Sequence, residues 1–104
     1  MAIEVITKFI TLSTVRSLVY VYNDSDALVD PTAVYITLTD PAGTKKVDAS
    51  NIVVTGKTAT GTFEHYYNTP SDAVVGQWLG EAMVVDGSGG TAKTTIANYS
   101  FTLI

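Results

Sequence analysis

VVGQWLGEAMVVDGSGG, residues 74–90, is the stretch whose reading decides the fold. It holds the chain's only tryptophan, set between two glycines, then an apolar run, then a loop with almost no side chains. Read with a period of two, residues 76–85 place Trp78, Gly80, Ala82 and Val84 on one face. Gln77, Leu79, Glu81, Met83 and Val85 take the other. Gly80 lies two residues from Trp78 on the same side, so the indole is expected to lie flat where a Cβ would obstruct it. An aromatic side chain of roughly 200 Å² beside two small residues is how a core is filled, so Trp78 reads as core and not as a ring offered to a ligand. DGSGG reads as a flexible hairpin connection, since it lacks the following helix and basic residue of a phosphate cradle.

Outward from that strand, turn signals recur at short intervals: NDSD at 23–26, VDPT at 29–32, DPAG at 40–43, TG at 55–56 and NTPSD at 68–72. Short β-rich runs fill the gaps, which argues for an antiparallel sandwich or barrel. No segment sustains a period of 3.6, so almost no helix is expected. About seven strands are expected, drawn from eight β-prone segments. They fall within 4–11, at 14–22, at 33–39, at 60–67, 76–85 and 94–103, with short edge pieces around 44–47 and 52–55. In 33–39 the alternation is clean, with Val34, Ile36 and Leu38 inward and Tyr35, Thr37 and Thr39 outward. The last strand carries Ala97, Tyr99, Phe101 and Leu103 on one face. Asp40-Pro41-Ala42-Gly43 reads as a tight turn, with Pro41 presetting φ and Gly43 free to take a positive one. Pro41 and the Lys45–Lys46 pair discourage stray strand pairing at an edge.

The 104 residues make one domain with a single core. There is no cysteine, hence no disulfide framework and no thiolate zinc site. Glu4 and Lys8 break the N-terminal apolar run, so no signal peptide is expected, and no run approaches the roughly 18 apolar residues of a membrane helix. Ten acidic against six basic residues give a net charge of −4, and the bases are scattered, which disfavours nucleic acid as a partner. More telling is the charged share of 15%, against about 25% in an ordinary domain. Sixteen threonines and thirteen valines stand where charges would, all β-branched and suited to a pleated surface. So few charges protect weakly against association, and burial of part of the surface in an assembly is expected.

Catalytic equipment is sparse. His65 is the only histidine, and FEHYY reads as a strand with Phe63, His65 and Tyr67 on one side, at the margin of an aromatic cluster. Glu64 and Glu81 are the one conceivable glycosidase pair, but both are expected to point outward from strands. Neither an enzymatic activity nor a cofactor is expected. NDSDALVD gathers Asp24, Asp26 and Asp30 in one loop, and hard oxygen ligands can hold calcium. The loop lacks the glycine and glutamate of an EF-hand, and solvated turn residues are the alternative.

The order TVRSLVYVYNDSDALVDPTAVYITLTDPAG (14–43), GTFEHYYNTPSDAVVGQW (61–78) and YSFTLI (99–104) resembles a group of small immunoglobulin-like domains encoded among the virion structural genes of tailed bacteriophages and prophages. The residues that carry it are Asp30-Pro31, Asp40-Pro41, Gly43, Gly61, Phe63, Thr69-Pro70, Gly76, Trp78 and Phe101. It covers about residues 14–104, and its motifs are turn and core positions. The resemblance implies an antiparallel immunoglobulin-like β-sandwich and a non-enzymatic virion component that decorates or stabilises the capsid. Its partners would be the major capsid protein, other virion proteins or copies of itself, and its location the virion, reached from the host cytoplasm during assembly. A tail accessory protein, or a carbohydrate- or protein-binding module using loops 23–30, 68–75 and 86–90, is the alternative.

Residues 1–13 depart from the family pattern. Ile3, Val5 and Phe9 oppose Ile6, Ile10 and Leu12, and a strand apolar on both faces must be covered on both. The stretch is expected either to pack as an arm on a neighbouring subunit or to form an edge strand of its own domain. An immunoglobulin-like arrangement would bring Tyr35, Leu79 and Met83 onto one outer face. In 14–22 both alternations are apolar. Assigning Val15, Val19 and Val21 inward leaves Tyr20 and Tyr22 outside beside Tyr66, although the reverse is open. Aromatic and methionine side chains are enriched at interface centres, so both outer faces are candidate assembly surfaces. The expected core is Trp78, Gly80, Phe63, Tyr99 and Phe101.

Overall fold

The alternation in Thr14–Tyr22 is realised residue by residue: Val15, Ser17, Val19 and Val21 are buried, while Arg16, Leu18, Tyr20 and Tyr22 are half-exposed. The structure, a computed structural model, describes residues 2–9, 14–87, 90 and 92–104. Its strands in chain order are β1 (Ala2–Phe9), β2 (Thr14–Tyr22), β3 (Ala33–Thr39), β4 (Lys45–Asn51), β5 (Lys57–Ala59), β6 (Thr62–Asn68), β7 (Gly76–Asp86) and β8 (Lys93–Leu103). They form two antiparallel four-stranded sheets, β1-β2-β6-β5 and β4-β3-β7-β8, with no α-helix among the described residues. The chain is therefore all-β and two-sheeted, with eight strands where about seven were expected.

The core lies between the sheets. Val15, Val19, Val21 and Phe63 enter from one side, and Val34, Ile36, Leu38, Trp78, Ala82 and Val84 from the other, none more than 1% exposed. Trp78 stacks on Phe101 at 5.8 Å and 21° and meets Tyr67 at 5.7 Å and 46°. Its indole N–H donates to the Val74 carbonyl at 2.8 Å, so the one polar atom of this buried ring has a partner.

Gly80 corrects the sequence reading. A Cβ there would lie 2.4 Å from the ring of Tyr99, its register partner on β8, so the glycine makes room for Tyr99 and not for the indole. Directly opposed residues on paired strands are closer than residues two apart along one strand, so the cross-strand ring claims the space. The Tyr99 hydroxyl then crosses the interior to donate to Ser17 Oγ of β2 at 3.1 Å.

The edges differ most from expectation. Residues 52–55 have the β-branched composition of a strand but form a turn, in which the Gly56 N–H donates to the Ile52 carbonyl at 2.9 Å. Asn51 Oδ1 accepts from the Val53 N–H at 3.0 Å, and Ile52 plugs the core at 3% exposure. A side-chain acceptor and one buried anchor outweigh propensity here. The edge piece expected at 44–47 extends to Asn51 through two register irregularities. At one of them Ala49 takes a φ of 48° and donates its N–H to Thr37 Oγ1 at 3.0 Å, as in a β-bulge.

β1 pairs with β2 continuously from Ala2↔Tyr22 to Phe9↔Val15. Of the two readings open for residues 1–13, the described part is thus an edge strand of its own sheet. Ile10 and Leu12 lie outside the described residues.

Two turns are held by aspartates. Asp40, 4% exposed, accepts from the N–H groups of Ala42 and Thr44 at 3.0 and 2.8 Å, and Gly43 takes a φ of 88°. Asp30 accepts from the Gly61 N–H at 2.8 Å. At Gly61, φ is 66° and an added Cβ would meet the Val29 nitrogen at 2.8 Å, so this close approach of two loops requires glycine.

Candidate interaction surfaces

Strand register builds the outer face of the β4-β3-β7-β8 sheet row by row. Tyr35 on β3 opposes Met83 on β7, which opposes Ile96 on β8, making an apolar row across three strands. The next row is Thr37, Glu81 and Asn98, and the one after it Thr39, Leu79 and Ser100. Leu79 and Ile96 are 57% and 52% exposed, Tyr35 and Met83 half-buried by their neighbours. Glu81 is the only charge in these three rows of β3, β7 and β8. Beside it, with Lys45 at the margin, lies a shallow depression of about 230 Å³. Tyr35, Leu79 and Met83 do share one outer face, and Ile96 joins them. Period two already pointed Ile96 outward, but only the β7–β8 register puts it beside Met83.

The outer face of the β1-β2-β6-β5 sheet is laced by charge. Arg16 and Glu64 form an ion pair at its centre, and the Tyr66 hydroxyl donates to Glu64 Oε2 at 2.9 Å. That bond to a carboxylate pushes the Tyr66 phenol above its ordinary range, and the same carboxylate favours the cationic form of Arg16. Tyr20 opposes Glu4 and Thr62, Tyr22 opposes Ala2, and Tyr66 opposes Arg16. Tyr20 and Tyr22 therefore point outward as assigned, but Tyr66 lies across from Arg16 and not beside them. On β1, Glu4, Ile6 and Lys8 oppose the outward Tyr20, Leu18 and Arg16. Ile3 and Val5 pack half-buried against the core of their own domain, and Phe9 opposes Val15. The outward apolar residue of this strand is Ile6, 47% exposed.

The remaining candidates are not brought together. Asp30 is spent on Gly61 and on Lys57 Nζ at 2.6 Å, and these two contacts hold its carboxyl below the ordinary range. Among the described residues no three histidine or acidic side chains converge as metal ligands. Asn23 explains the loop's shape: its Oδ1 accepts from the N–H groups of Ser25 and Ala27 at 2.9 and 3.1 Å. Glu64 and Glu81 lie on opposite outer faces, so no sugar can sit between them.

His65 lies on the inner face of β6 with Phe63 and Tyr67, opposite Ser17. Its Nδ1 is buried and no hydrogen-bond partner for it, carboxylate or other, is found among the described residues, and burial lowers the imidazole pKa. Ser17, fully buried and bonded to Tyr99, is a polar core residue that periodicity alone left unmarked. The three candidate binding loops are also divided. Loop 23–30 lies at the end of the sandwich where β7 and β8 meet at Asp86 and Lys93, and 68–75 lies at the other; residues 88 and 89 of the candidate loop 86–90 lie outside the described residues. No family model, curated protein or solved structure matches the chain.

Proposed function

We propose that this chain is a non-enzymatic structural protein that binds a larger assembly through the outer face of the β4-β3-β7-β8 sheet. Given its resemblance to immunoglobulin-like domains of tailed-phage virions, we assign that assembly to the capsid, which the protein decorates or stabilises as many copies. The observation that carries the reading is the row Tyr35–Met83–Ile96 with Leu79 nearby, in three rows to which β3, β7 and β8 contribute one charge, Glu81, and the edge strand β4 a second, Lys45. Apolar and methionine side chains free of charge are what interface centres use. The opposite face spends its aromatic Tyr66 on an internal ion pair.

A small face of this kind binds weakly alone. Repeated over a symmetric shell it becomes durable, because each further contact is effectively intramolecular. Co-sedimentation of the purified chain with phage capsids assembled without it tests the reading. The wild type is expected to pellet with the shells and Met83→Lys to stay in the supernatant. Equal pelleting of both, or of neither, overturns it.

A further inference from the structure

A two-sheet fold has four edges, and three of them are guarded. β4 is broken by two register irregularities and carries Lys45, Lys46 and Asp48. β5 is three residues long. β1 carries Glu4 and Lys8. β8 is different. Its eleven residues run in unbroken register with β7, from Gly76↔Leu103 to Asp86↔Lys93, with no proline and no charge after Lys93. Among the described residues no strand hydrogen-bonds along its other side, although β1 of the facing sheet packs against it. Bulges, charges and short length are how edge strands avoid pairing, and β8 uses none of them.

We propose that β8 pairs antiparallel with β8 of a second copy of this chain, about a two-fold axis through Asn98, joining two sheets into one. Directly opposed residues must share a face, so a two-fold pairing sets one residue against itself. Asn98 is the midpoint of Lys93–Leu103, and this register alone engages the whole strand. It opposes Thr94 to Thr102, Ile96 to Ser100 and Asn98 to Asn98 on the outer face, with no like charges facing. On the inner face it sets Ala97 against Tyr99 and Thr95 against Phe101, small against large, so two cores meet without collision. Such an interface is isologous and closes on itself. It is tested apart from the capsid reading, since it concerns the free protein and the backbone edge of β8, although Ile96 belongs to both surfaces.

Asn98 is exposed and its neighbour on β7 is Glu81, so Asn98→Lys gains a favourable partner within the monomer. In the pair it sets two lysines face to face and is expected to weaken self-association about five-fold by sedimentation velocity. The chain has no cysteine, so single substitutions report geometry cleanly. Asn98→Cys places two Cα atoms about 4.5–5.5 Å apart across the axis, within disulfide range, and is expected to cross-link on mild oxidation. Leu79→Cys, on the same outer face one strand inward, and Ile6→Cys, on β1, are expected to remain monomeric in denaturing gels. A wild type that sediments as a monomer at every concentration overturns the proposal. So does cross-linking of Leu79→Cys or Ile6→Cys as fast as that of Asn98→Cys, or self-association that Asn98→Lys leaves unchanged.

Discussion

Gly80→Ala places a methyl group 2.4 Å from Cε2 and Cζ of Tyr99 and 2.7 Å from Cδ2. Carbon atoms in contact prefer about 3.5–4.0 Å, so the ring must retreat by roughly 1 Å or more. Overpacking of this kind costs about 1–3 kcal/mol. Retreat also carries the hydroxyl away from Ser17 Oγ, now 3.1 Å distant, and leaves a fully buried serine with one partner fewer. That adds about 1 kcal/mol, for a total of about 2–4 kcal/mol. Against a stability of about 5–15 kcal/mol the loss is large. Urea unfolding reads it directly, because Trp78 is the only tryptophan and fully buried, so its fluorescence follows the core. In a Tyr99→Leu background the collision partner is gone, and the same substitution is expected to cost less than about 0.5 kcal/mol. An equal cost in both backgrounds, or no cost in the wild type, would refute the assignment of Gly80 to Tyr99.

Ala49→Gly relieves a φ of 48° at the β4 bulge. The left-handed conformation costs a residue with a Cβ about 1–2 kcal/mol, and the extra freedom of an unfolded glycine offsets about half, so a gain of about 0.5–1 kcal/mol is expected in urea midpoints. His65 has its folded pKa lowered by burial, so the unfolded chain binds the proton first. Stability is expected to be level above pH 6.5 and to fall as pH drops from there toward the folded value, a slope that His65→Leu removes in pH-dependent melting curves. Asp30 has its folded pKa lowered by the Gly61 N–H and by Lys57. Its contribution is present above pH 3.8 and lost as pH falls below that through the folded value, and Asp30→Asn is expected to flatten that part of the profile.

Strands with one clean apolar face were legible in the sequence. Period two placed Val34, Ile36 and Leu38 inward and separated Trp78 from Leu79, because burying one face of a strand leaves no other choice. The turn at Asp40–Gly43 was legible for a similar reason, since proline and glycine restrict φ to what the turn needs. Partner choice was not legible. That Gly80 serves Tyr99, that Tyr66 faces Arg16 and that Asp30 bonds Gly61 all depend on register between segments distant in the chain. The edges misled because Ile52-Val53-Val54-Thr55 has strand composition but lies beside an asparagine that caps a turn. The candidate face was half visible: Tyr35, Leu79 and Met83 follow from alternation, whereas Ile96 joins them only through the β7–β8 ladder.

Hydroxyl-radical footprinting of the chain, free and bound to capsids, separates the two outer faces within one experiment. Met83, Tyr35, Leu79 and Ile96 are expected to lose reactivity on binding, while Ile6 and Tyr66 on the opposite sheet keep theirs. Protection of Ile6 and Tyr66 with Met83 and Leu79 still fully reactive would contradict the account.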